Sequence, residues 1–139
     1  MDGRGLVAAL ALGAQVVQMS TRFLTSIESG AHEAYQKILL SGNEESTVIT
    51  KAFSGRPARG VKNSFIEMWD KRGIEPLQFP TQNTATRDTR NAASRQNNPD
   101  FMSLWAGQGL RMLTSDQSAA RIVEETIHQA QSILLNTNH

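Results

Sequence analysis

Hydrophobic and polar positions along the chain predict helices separated by short β-rich runs. Asp2 precedes the apolar stretch Leu6–Leu12, where Leu6, Leu10 and Gly13 fall on one face and Ala8, Ala9 and Ala11 permit close packing. An acidic residue there is a good N-cap, and its carboxylate suits the positive end of the helix. Gly13 supplies the stop. The following Ala14–Met19 is β-rich and short, as expected of a strand buried on both faces, where Gln15 and Gln18 would need partners. Ser20-Thr21-Arg22 then reads as a polar turn. Helix, strand and loop in that order form one unit of a parallel α/β fold, whose ligands sit at the carboxyl ends of the strands.

The rest of the chain alternates in the same manner. A helix is predicted over about Ala31–Leu40, with Tyr35, Ile38 and Leu39 on its apolar face and Ser41-Gly42-Asn43 ending it. Thr47–Thr50 reads as a strand, and Ser54-Gly55-Arg56-Pro57 as a turn. Val61, Phe65 and Met68 or Trp69 recur at helical spacing, so Val61–Lys71 is predicted helical, closed by Gly73 and Pro76. The polar segment Pro80–Pro99 is read as a surface helix over Thr81–Gln96 in preference to an extended loop, because no Gly or Pro interrupts it. Ser115-Asp116 would cap a last helix over Gln117–Leu135. Its expected buried stripe is Ala119, Ala120, Val123, Ile127, Ala130 and Leu134, with Glu124 and His128 facing solvent.

Composition narrows the function classes. A length of 139 residues suits about one domain. Fourteen Lys and Arg stand against thirteen Asp and Glu, so charge gives no case for nucleic acid. The absence of cysteine excludes disulfides and thiolate metal sites and fits a cytoplasmic protein. Leu6–Leu12 is too short to span a bilayer, and Asp2 is wrong for the basic start of a signal peptide. His32, His128 and His139 show no metal-ligand spacing and support no Ser-His-Asp arrangement.

Three places are candidates for chemistry. The hydroxyls and amides around Ser20-Thr21 suit a phosphate, although an ordinary Ser/Thr turn has the same spacing. Asp2-Gly3-Arg4-Gly5 offers a second phosphate-facing helix start or a plain cap, and Arg22, Arg56 and Arg59 could neutralise an anion or simply lie on the surface. Phe101–Gly109 concentrates aromatic, small and polar residues. There Ser103, Trp105 and Gln108 suit a planar ligand such as a flavin, or form a packed loop anchored by Trp105.

Taken together, DGRGLVAALALGAQVVQMSTRF, ITKAFSGRPARGVKN and FMSLWAGQG resemble the C-terminal portion of nitronate monooxygenases, formerly 2-nitropropane dioxygenases. That resemblance implies an FMN flavoprotein on a TIM barrel, an oxidoreductase turning alkyl nitronates and O2 into carbonyl compounds and nitrite. It places Gly5–Gly13 after barrel strand seven and Ala14–Met19 in strand eight. Gln18, Met19, Ser20 and Thr21 would hold the flavin phosphate, as loops after strands seven and eight do in this barrel. The family has glycine where Ser20 stands, and a serine would be strained if positive φ were needed. Ser103, Trp105 and Gln108 would lie beside the flavin ring and substrate.

No catalytic residue is expected within this chain, because the family's base histidine lies further upstream. A whole barrel takes about 250 residues and eight strands. Residues 1–139 are therefore expected to be an α/β barrel fragment with mostly helical additions, an incomplete domain. Met1 would be either the start of a truncated reading frame or a product of how the fragment was delimited. Alone, the chain is expected to turn over nothing and bind FMN poorly. Its open barrel faces would seat an N-terminal half or another copy. Two alternatives are a fragment of a flavin-dependent enoyl-acyl-carrier-protein reductase and a non-catalytic helical module packing on a separate partner.

Overall fold

A computed structural model describes residues 2–115 and 117–136. Along the chain the elements are α1 (Gly3–Ala11), α2 (Glu33–Ser41), β1 (Thr47–Thr50), β2 (Ala58–Val61), α3 (Ser64–Arg72), α4 (Thr81–Ala85), α5 (Arg87–Arg95) and α6 (Ala119–Asn136). Short 3-10 turns occupy Thr21–Thr25, Pro99–Phe101 and Leu110–Met112. The chain divides into two compact units, residues 1–31 with 112–139, and residues 32–111.

The first unit is built on α1 and α6. Asp2 caps α1 as expected, its Oδ1 accepting from the Arg4 and Gly5 amides at 3.0 and 3.2 Å. Gly13, at φ +92°, follows the last turn as the stop. Gly3 sets how closely the helices approach. A Cβ there would lie 2.4 Å from Gln129 Cβ and 2.5 Å from the Ala130 nitrogen. The Gly3 amide also donates to Gln129 Oε1 at 3.0 Å.

The buried face of α6 keeps Ala130 of the expected stripe but otherwise differs from it. Ile122, Thr126 and Ala130 are buried, whereas Val123, Ile127 and Leu134 are each nearly half exposed. Buried Thr126 satisfies its hydroxyl on the Ile122 carbonyl at 2.7 Å. Glu124 and His128 are exposed, as expected. The cap assigned to Ser115-Asp116 rests on Asp116, which lies outside the described residues, as does His139.

Ala14–Met19 is not a strand in this structure, and Val16 is 84% exposed. A strand needs neighbours to pair its amides and carbonyls and layers to cover both faces. Among the described residues the one regular sheet is the antiparallel pair of β1 and β2, with Thr47 opposite Val61 and Thr50 opposite Ala58.

The second unit surrounds an aromatic core. Ala52, Phe53, Phe65 and Ile66 are buried, with Trp69, Phe101 and Trp105 against them. The Phe53 and Phe65 rings stack at 4.6 Å, and Trp105 meets Phe53 edge-on at 5.7 Å. Full burial of one such side chain contributes roughly 1.5–3 kcal/mol, against roughly 0.2–1 kcal/mol for a cross-strand pair. Packing therefore outweighs the four-residue ladder in holding this unit.

Two sequence expectations change here. Val61 belongs to β2, and α3 starts only after Asn63, whose Oδ1 caps the Ile66 amide at 3.3 Å. The polar segment is helical but divided at Thr86. Thr86 donates its hydroxyl to the Phe53 carbonyl at 2.6 Å, and buried Gln82 donates to the Ala52 carbonyl at 2.5 Å. These two residues tie a polar helix pair to the core.

Gly55 has φ +82°, and a Cβ there would lie 2.3 Å from the Leu77 carbonyl oxygen. Gly55→Ala should therefore destabilise the protein by about 2–4 kcal/mol, from backbone strain and overpacking together. Gly13→Ala, with φ +92° but open space around it, should cost about 1 kcal/mol. Chemical denaturation of both variants checks the order; equal losses would contradict it.

Candidate functional site

The loop Gln18–Thr21 lies in the first unit. Gln18 and Ser20 are exposed, and Met19 and Thr21 are half-buried. Ser20 adopts φ −105°, ordinary right-handed geometry, so this position imposes no strain on serine. Its side chain does not cap the 3-10 turn that begins at Thr21. The stretch thus carries two hydroxyl side chains, Ser20 and Thr21, where a tight turn begins. That donor set fits a phosphate ester.

Arg22, the next residue, is 8% exposed. Its guanidinium donates to Thr114 Oγ1 at 2.9 Å, to the Thr114 carbonyl at 3.5 Å, and to Gln117 Oε1. Burial lowers its pKa from the ordinary arginine value, while the charge of Glu125 opposes that shift. Gln117 Nε2 in turn donates to Glu125 Oε2 at 2.7 Å. The Glu125 carboxylate, also bonded to Arg121 at 2.7 Å, is held below its usual range chiefly by that arginine. In the sequence Arg22 is only one of several arginines that could neutralise an anion, and nothing near it marks these distant partners.

The other phosphate candidate is already occupied by the protein itself. At the start of α1 the Asp2 carboxylate takes the Arg4 and Gly5 amides, and Gln129 takes the Gly3 amide. Arg56 lies over the Phe79 ring at 4.1 Å, and Arg59 donates to the Thr47 hydroxyl at 3.2 Å. Both have structural roles.

Ser103, Trp105 and Gln108 share one loop of the second unit, and the structure therefore divides the predicted site residues between the two units. Backbone pairing fixes this loop along β2. The Val61 amide donates to the Leu104 carbonyl at 2.8 Å, and the Ala106 amide to the Arg59 carbonyl at 3.1 Å. Gly60 makes the approach possible, since a Cβ there would come within 2.9 Å of the Leu104 oxygen. The motifs around residues 58–61 and 103–108 are thus two edges of one substructure. Trp105 is half-buried, Ser103 is half-buried, and exposed Gln108 donates to the Glu44 carbonyl at 3.5 Å.

Tyr35 completes the loop's support by donating its hydroxyl to the Trp105 carbonyl. A shallow cleft beside Trp69, walled by Ile49, Lys51, Ile74 and Glu75, contains none of these site residues. Among the described residues no cluster of His, Asp and Glu could hold a metal ion. His32 Nδ1 caps α2 through the Ala34 amide at 3.1 Å. No helix among the described residues is long and apolar enough to cross a membrane.

Comparison with known proteins places this geometry in a family. The nitronate monooxygenase family model matches residues 1–129, and the chain belongs to that family. A probable nitronate monooxygenase of Bacillus subtilis is 45% identical over 125 residues, covering 90% of this chain and 36% of that protein. A second, from Staphylococcus saprophyticus, is 42% identical over 134 residues, covering 96% of this chain and 38% of that protein. The chain therefore spans little more than a third of these curated relatives.

Among solved structures, the nitroalkane oxidase of Streptomyces ansochromogenes superposes with a TM-score of 0.89 at 33% identity. It is matched over 99% of this chain and 39% of its own. FabK from Thermotoga maritima gives 0.81 at 28% identity, over 99% of this chain and 43% of its own. The fold is accordingly that of a C-terminal TIM-barrel portion with mostly helical additions, as the sequence predicted.

Tyr35 is the chain's single tyrosine, and burial pushes its hydroxyl up to about 12 from the ordinary value of 10.0. Burial favours the neutral phenol, so this stabilisation is complete below the unfolded pKa and lost as pH rises through the folded one. Tyrosinate absorbance of the native chain should accordingly appear around pH 12. A midpoint at the ordinary value would contradict the buried contact with Trp105.

Proposed function

We propose that the chain is the C-terminal portion of an FMN-dependent nitronate monooxygenase, and that Gln18, Met19, Ser20 and Thr21 bind the flavin phosphate. The observation that carries this reading is that loop itself: two hydroxyl residues at the start of a tight turn, no positive φ demanded of Ser20, and next in sequence an arginine locked by Thr114 and Gln117. The relatives named nitronate monooxygenase support it, as does the likeness to a nitroalkane oxidase. When bound, FMN would supply the redox chemistry between an alkyl nitronate and O2. The residues of this chain hold and orient. Ser20 and Thr21 would hold the phosphate by hydrogen bonding, and Ser103, Trp105 and Gln108 would shape the flavin side of the substrate pocket.

The base is assigned to the part of the family that this chain does not span. Residues 1–139 accordingly form an incomplete domain, cytoplasmic in location, that turns over no nitronate alone. Exposed Leu12, Val16 and Ile27, at 89, 84 and 69%, suit an N-terminal half or a second copy as cover. The likeness to FabK keeps an enoyl-reductase role as the second reading. Oxidation of NAD(P)H with an enoyl thioester would favour it.

Titration of the chain with FMN and with riboflavin tests the phosphate assignment. Binding should be weak, but FMN should be favoured by on the order of 10-fold or more, the worth of one or two hydrogen bonds to a charged group. Equal affinities would remove the assignment. With nitronate, FMN and O2 present, no nitrite is expected from the chain alone, and its appearance would overturn the predicted inactivity.

A further inference from the structure

Arg22 stands at the junction between the Gln18–Thr21 loop and a segment that rejoins it from late in the chain. The partners of its guanidinium, Thr114 and Gln117, lie 92 and 95 positions away. The following residues are stitched to the same segment. Thr25 donates its hydroxyl to the Thr114 carbonyl at 3.2 Å, and the Ile27 amide donates to the Gln117 carbonyl at 3.0 Å. Ser26 and Gln117 form a parallel bridge. The loop therefore has a fixed downstream side. Its upstream side, Ala14–Met19, is neither helix nor strand, with Val16 exposed.

We propose that Arg22 is a positioning residue: its buried guanidinium fork, seated on Thr114 and Gln117, sets the path of the Gln18–Thr21 loop and hence the aim of its hydroxyls and amides at a phosphate ester. The phosphate half of this statement rests on the function proposed above. The fork geometry is the essential feature. A guanidinium presents several coplanar donors and satisfies two separate acceptors at once, whereas a lysine ammonium is a point charge on a flexible stem. Thr114 is equally part of the device, because its hydroxyl accepts from Arg22 and donates to Gln117 Oε1 at 2.7 Å. Removing that hydroxyl leaves the arginine charge intact and breaks the seat.

Amide hydrogen exchange of the flavin-free chain tests the first half. Arg22→Gln should speed exchange across residues 21–27 by on the order of 10-fold or more, with the amides of α3 unchanged. Thr114→Val should do the same while keeping the charge, and Arg22→Lys should fail to restore protection. Wild-type protection in Thr114→Val, full rescue by lysine, or uniformly fast exchange of residues 21–27 in the wild type would each overturn the proposal. Titration with FMN and riboflavin tests the second half. Arg22→Gln should abolish a preference for FMN, whereas a merely structural role would weaken both ligands equally and overturn the positioning claim. A wild type with no preference for FMN would remove the phosphate reading, and the exchange data would still decide whether Arg22 fixes the loop.

Discussion

Backbone running against backbone, possible only where a side chain is a single hydrogen, is the constraint on which both units depend. At Gly3 it lets α1 settle onto Gln129 and Ala130 of α6. At Gly55 it admits the Leu77–Phe79 segment against the turn between β1 and β2. At Gly60 it seats Leu104 and Trp105 along β2, which holds the Ser103–Gln108 loop in place. A Cβ at any of these positions would meet backbone or a rigid neighbour, with no flexible side-chain end to yield.

Much of the local structure was legible because it is encoded locally. Asp2 caps, Gly13 stops, Thr47–Thr50 extends and Gly73 closes α3 in the left-handed conformation, each for a reason contained within a few residues. The failures share a cause. Ala14–Met19 has the composition of a buried strand, yet composition cannot supply the neighbouring strands that pairing requires. The stripe on α6 is right at Ala130, but Ile122 and Thr126 are buried where Val123 and Ile127 were expected, and spacing alone does not say which face of a helix meets a distant partner. β2 was hidden by Arg59 and Gly60, whose place in a strand depends on the Leu104–Ala106 segment.

The candidate site is legible in the sequence only as a local pattern of residues. Two hydroxyls after a β-rich run pointed to Ser20 and Thr21, and the three shared motifs pointed to the family. What the sequence withheld was long-range connection. Nothing near Arg22 announces Thr114 and Gln117, and nothing near Trp105 announces Tyr35. Polar side chains buried by distant backbone leave no periodic mark. The feared strain at Ser20 also proved absent, since φ −105° suits any L-residue.

The proposed function makes the loop Gln18–Thr21 an anion site. The most direct measurement is a map of backbone amide chemical shifts while FMN is added to the chain. Saturable shifts centred on Ser20, Thr21 and Arg22, reproduced at higher concentration by inorganic phosphate, are expected of such a site. Shifts confined to other segments, or a loop indifferent to both ligands, would contradict it.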